Sequence, residues 1–136
     1  MTEYHGSYLH IWVDDSINLM YSEWLRRPTK EEFKEGVKLL IKYLYEYSVE
    51  FWVMESNKLV GMPLNELRRV IRKVASVIVL CASLKKIARI LINDISNILK
   101  FEETINEFKV IYHSSVEFEW FSSFKDAVDW IGRVRC

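Results

Sequence analysis

Cysteine, proline and glycine are all scarce, at two, two and four residues in a chain of 136. The two cysteines are Cys81, inside an apolar stretch, and Cys136, the last residue. They cannot build the disulfide framework of a small secreted scaffold, so a reducing cytoplasm is the expected setting. Four glycines, with no glycine-rich turn between a strand and a helix, exclude a dinucleotide fingerprint and a P-loop. Charge of one sign is lacking too. Nineteen basic side chains offset nineteen acidic ones, which leaves no bulk phosphate neutralisation for nucleic-acid binding and no pull toward an anionic membrane. Long hydrophobic runs are missing. The longest uncharged apolar stretch, Val74 to Leu84, is closed off by Lys73 and Lys85, well short of the roughly 20 residues that span a bilayer. The polar opening, Met1 to Ser7, has no signal-peptide pattern. The expectation is therefore a protein without a nucleic-acid partner and without membrane insertion.

Hydrophobic residues make up 50% of the chain and aromatics 14%, which is too apolar for disorder. At this length folding should bury about two-thirds of the unfolded surface. No linker, repeat or low-complexity segment interrupts the sequence, so one domain over residues 1–136 is expected.

The order of patterns is the richest signal. Tyr8 to Val13 and Ile17 to Trp24 are strand-like, and Asp14-Asp15-Ser16 between them reads as a hairpin turn. Pro28 ends the second strand, and Thr29 with Glu32 has the spacing of a capping box. Phe33, Val37, Leu40, Ile41 and Leu44 then recur at three- and four-residue steps, the stripe of an amphipathic helix. Lys30, Lys34, Lys38 and Lys42 form a second row on that helix, which Glu31, Glu35 and Glu46 temper into a solvated face. Glu50 to Glu55 suits a central strand, Pro63 the first turn of a second helix, and Lys86 to Ile92 another strand. Ile95 to Ser115 reads as a helix, although Phe108 to Tyr112 fits a strand equally well over so short a window. Val116 to Phe121 is a last strand. Ser122 or Ser123 caps a final helix whose Phe124, Ala127, Val128 and Ile131 are expected to face inward.

Strands alternating with helices imply parallel strands joined by right-handed crossovers. The expected fold is α/β, a five-stranded mixed sheet in the order ββαβαβαβα with about four helices. Its first strand, Tyr8 to Val13, is antiparallel and lies at an edge. Unpaired edges invite pairing, so a homodimer is compatible with this fold.

The segments Met20-Tyr21-Ser22-Glu23-Trp24, Phe51-Trp52-Val53-Met54-Glu55 and Ala82 to Ala88, with Phe118 to Ser123 and Ala127 to Ile131, give the chain its resemblance. It resembles the STAS-like domains of the anti-sigma-factor antagonist type, and more closely the small bacterial STAS-like proteins of the Bacteroidetes type. The resemblance implies a protein-interaction or regulatory module. It also implies a phosphorylatable Asp-Ser-Ser-Gly motif at the start of the helix after the third strand. The matching stretch here, Val60 to Glu66, has no Ser or Thr, and Ser56 comes too early. A phosphorylation switch and sigma-factor regulation are therefore not carried over. STAS-like folds also resemble part of the CRAL-TRIO lipid-transfer architecture, which implies a second reading, the binding of small apolar or lipid-like ligands.

In open α/β sheets ligands sit at the carboxyl ends of parallel strands, near a change in strand order. That rule gathers Arg26 and Arg27, then Glu55, Ser56 and Asn57, then Asn93 and Asp94, then Ser122 and Ser123. Paired arginines could hold a carboxylate or phosphate, but Asn, Asp and Ser at such positions are also ordinary caps and turn formers. Glu55 and Asp94 lack a third acidic partner for hard-metal binding. His5, in a terminus expected to be loose, His10 in the first strand and His113 show no zinc spacing. No nucleophile, base and orienting acid can be assembled. The reading is a non-enzymatic interaction module with an unknown protein partner and neither cofactor nor metal. A small-ligand binder is the alternative, and an enzyme built on Arg26, Arg27, Glu55 and Asp94 comes third.

Overall fold

The computed structural model describes residues 1–91 and 95–132. Six strands and four helices follow the order β1 (Thr2–His5), β2 (Leu9–Asp14), β3 (Leu19–Trp24), α1 (Lys30–Glu46), β4 (Phe51–Glu55), α2 (Leu64–Val79), β5 (Lys86–Ile90), α3 (Ile95–Tyr112), β6 (Glu117–Phe121) and α4 (Phe124–Gly132). The α/β class, the mixed sheet and the four helices agree with the sequence. The five-strand expectation does not. Thr2-Glu3-Tyr4-His5 forms an additional strand, antiparallel to β2, with Tyr4 opposite Ile11 and His5 opposite His10. Its inner positions are only half-buried, so the apolar alternation that marks a covered strand is weak there. Gly6 turns the chain back, its N–H donating to Leu9 O at 2.9 Å. His5 is thus held in a ladder, and Tyr8 to Val13 gives up its expected edge position to β1.

Strand order across the sheet is β1-β2-β3-β4-β5-β6, antiparallel through β3 and parallel from β3 to β6. The order never reverses, so the change in strand order expected beside a ligand crevice is absent from the described sheet. Three crossovers of the same hand moving in one direction must leave their helices on one face. The buried clusters agree. One face packs Leu9, Ile11, Met20, Trp52 and Ile87 under α1, α2 and Ile105 of α3. The other packs Leu19, Phe51, Val53, Ala88 and Ile90 under Ala127 and Ile131 of α4.

Local chemistry sets these helices. Glu32 N–H donates to Thr29 Oγ1 at 3.1 Å while the Glu32 carboxylate accepts from Thr29 N–H, the reciprocal box the sequence predicts. Gly36 lets α1 lie close against the sheet, since a Cβ there would come within 2.5 Å of the Trp24 ring. The ambiguous segment is helix through Tyr112, and His113 ends it in the left-handed region at φ 55°. In α4, Ser123 Oγ accepts from Asp126 N–H at 3.2 Å. Ala127 and Ile131 face inward, but Phe124 is 50% exposed and Val128 36%. The helix covers only the β4–β6 half of its face, so its first turn overhangs and Phe124 meets Tyr21 edge-on at 5.5 Å. Lys86 is buried beneath this helix, its Nζ 4.3 Å from the Trp130 ring centroid and donating to Trp130 O at 3.0 Å. Among the described residues no helix is long and apolar enough to cross a membrane.

Candidate functional site

The carboxyl ends of β3, β4, β5 and β6 lie along one end of the parallel sheet. Each polar residue the sequence singled out there has an internal task where the structure describes its contacts. Arg26 grips Glu32 with both guanidinium nitrogens at 2.8 Å and lies over the Tyr8 ring. This pairing, with the Thr29 N–H, holds the Glu32 carboxyl near a pKa of about 2, far below its ordinary 4.5. Arg27 donates to Val60 O at 3.0 Å and fills the space beside Gly61, whose φ is 89°. Glu55 accepts from Asn57 N–H at 2.7 Å, and burial pushes its carboxyl pKa up. Ser123 caps α4, and Ser122 is exposed. Asn93 and Asp94 lie outside the described residues. The sheet end is a row of caps and clamps, with Arg26 committed to a carboxylate of its own chain.

Ser56 is the exception. It is buried, and it lines a pocket on the other side of the strand ends. The pocket, about 60 Å³, lies between the sheet and the pair α1 and α2. Phe33, Val37, Leu40 and Ile41 of α1 form one wall, and Leu67, Ile71, Val74 and Ile78 of α2 the other. Trp24, Trp52 and Met54 make the floor, with three polar residues set into it: Ser22, Ser56 and Arg89. Ser22 Oγ accepts the Trp52 indole N–H at 3.0 Å, both side chains being fully buried. Arg89 is 2% exposed.

Of these pocket residues only Ser56 was singled out from the sequence as a site residue. Arg89 carried a usable signal, because a charged side chain inside the apolar run Lys86-Ile87-Ala88-Arg89-Ile90 must be paired or functional once the strand is central. Ser22, polar amid Leu19, Met20 and Trp24, carried a weaker one.

No protein-family model, curated protein or solved structure matches this chain. Its site must be read from its own geometry.

Some of the basic side chains on α1 and α2 make contacts within the chain. Lys30 and Arg69 converge on Glu66 of α2 at 3.4 and 2.7 Å. Arg72 reaches Glu107 of α3 at 3.4 Å and lies over Phe108. The Lys30–Glu66 and Arg72–Glu107 pairs tie α1 and α3 to α2, and Lys38 and Lys42 stay exposed on the outer face of α1. On the opposite sheet face, Glu3, His5 and His10 bring one metal-ligating atom each within 4.8 Å of the others.

Proposed function

We propose that this chain is a non-enzymatic, STAS-like protein-interaction module of the cytoplasm, which engages its partner along the free edge of β6. The observation that carries this reading is the surface of that edge. Among the described residues β6 has no strand beyond it. Trp120 is 40% exposed on it, and Val110, Ile111 and Tyr112 are exposed on α3, the helix that leads into it. An open edge beside exposed aromatics suits strand addition by a partner, with aromatic anchors supplying much of the energy. Glu117 and Glu119 project from β6 on the face away from Trp120. An antiparallel self-pairing centred on Glu119 would oppose like charges, which is destabilising. The partner segment that fits is extended, with Lys or Arg alternating with apolar residues. A homodimer has a separate route through β1, the other free edge. The buried free thiol of Cys81 fits a reducing compartment. The non-enzymatic reading is supported by the strand-end groups, of which Arg26, Arg27, Glu55 and Ser123 are engaged in bonds within the fold.

The test is a photo-cross-linking residue at position 119 in living cells of the source, compared with the same residue at position 38 on the outer face of α1. A discrete adduct from position 119 alone, lost on Trp120→Lys, supports the reading. The same products from both positions, or none from 119, ends it.

The pocket favours a second reading, the binding of a small apolar ligand. At about 60 Å³ it is well below the roughly 150 Å³ of an engineered cavity that takes up benzene. A lipid tail would fit only with α1 and α2 parted. Native mass spectrometry decides this reading, because a carried ligand appears as mass that is lost on denaturation.

A further inference from the structure

The sheet face that α4 only half covers stays open over β1 and β2, where no described helix lies. Glu3 and His5 are two residues apart on β1 and so share a face. The antiparallel register sets His10 of β2 directly across from His5. The two imidazole centroids are 4.9 Å apart, and one ligating atom from each of the three side chains lies within 4.8 Å of the others. His10 Nε2 is sheltered from solvent. It sits 3.2 Å from Glu3 Oε2, but out of hydrogen-bond alignment, so the fold spends no hydrogen bond on that nitrogen.

We infer that Glu3, His5 and His10 form a binding site for one divalent transition-metal ion of the zinc class. Two imidazole nitrogens and one carboxylate oxygen are a donor set for borderline ions such as Zn²⁺, Ni²⁺ and Cu²⁺. The same set is poor for Ca²⁺ and Mg²⁺, which take six or more oxygens. Tetrahedral zinc with bonds near 2.1 Å places its ligand atoms about 3.4 Å apart. Glu3 and His5 are exposed, so they can close that gap by side-chain rotation while the backbone stays in its ladder. Three protein ligands leave a fourth position open to solvent. No sequence motif announces the site, because its ligands meet across a strand pairing. The bound ion joins the terminal edge strand to its neighbour and so suppresses local opening of β1. This inference is independent of how β6 is used.

The experiment is calorimetric titration of the full chain with zinc chloride. It is run on the Cys136→Ser variant, so that the C-terminal thiol offers no ligand. One zinc per chain is expected, undisplaced by millimolar Mg²⁺ or Ca²⁺. His5→Gln and His10→Gln should each weaken binding at least about tenfold, and His113→Gln should leave it unchanged. Hydrogen exchange at the β1 amides should slow when zinc is added. If His10→Gln loses the fold, His5→Gln and Glu3→Gln, both at exposed positions, carry the test. The inference is overturned by no saturable binding up to roughly 100 μM zinc. It is equally overturned by binding that survives His5→Gln and Glu3→Gln, or by equal loss in His113→Gln.

Discussion

Ser22→Ala tests the polar contact at the floor of the pocket. In the native chain the Trp52 indole N–H donates to Ser22 Oγ at 3.0 Å, with Ser22 1% and Trp52 3% exposed. Alanine removes the acceptor and strands a buried donor. Leaving such a group unsatisfied costs about 1–3 kcal/mol, more than the bond's net worth, because the desolvation has already been incurred. For a chain of this size about 1 kcal/mol corresponds to roughly 4 °C in Tm, giving an expected fall of about 4–12 °C by calorimetry. Urea unfolding followed by circular dichroism should show a lower midpoint with an unchanged slope. Ser22→Thr is the companion variant. It keeps the acceptor, suits a strand, and has a cavity of about 60 Å³ beside it to take the methyl group. Its stability should stay within about 0.5 kcal/mol of native, or rise. A double-mutant cycle with Trp52→Phe should show that the cost of Ser22→Ala shrinks once the N–H is gone. An unchanged Tm in Ser22→Ala, or an equal loss in Ser22→Thr, would refute the reasoning.

Two other perturbations follow from the same geometry. Gly36→Ala places a Cβ 2.5 Å from the Trp24 ring, and that overpacking should outweigh the roughly 1 kcal/mol of helix propensity gained. Its Tm should drop, whereas Gly132→Ala, with nothing within 4 Å, should hold or raise it. Glu32 should titrate near pH 2 by carbon-detected NMR and return toward 4.5 in Arg26→Ala. Its folded pKa is depressed, so the unfolded chain binds more protons between those values. The stabilisation is complete above about pH 4.5 and is lost as pH falls toward 2; a Glu32 titration unmoved by Arg26→Ala would show that the pairing does not cause the depression.

The sequence by itself determined the local structure wherever the cause was local. The Thr29–Glu32 box, the stripe from Phe33 to Leu44 and the Ser123 cap all act within a few residues, and all stand where the spacing put them. Alternation of strands and helices likewise implied the parallel part of the sheet. The first strand escaped because Thr2 to His5 is a half-covered edge, whose pairing comes from a turn at Gly6 and a neighbour rather than from its own composition. Tertiary structure alone decided what the polar residues do. Arg26, Arg27, Glu55 and Ser56 do share one end of the sheet, as the topology predicts. Yet Arg26 and Arg27 are turned to partners six and thirty-three residues away, and Ser56 faces inward. The pocket needed two helices and three strands to close around Ser22, Ser56 and Arg89. The Glu3, His5 and His10 cluster needed one strand register. Short-range order follows from spacing along the chain, whereas a site is a coincidence of side chains from distant segments, and only the packed sheet fixes which of them meet.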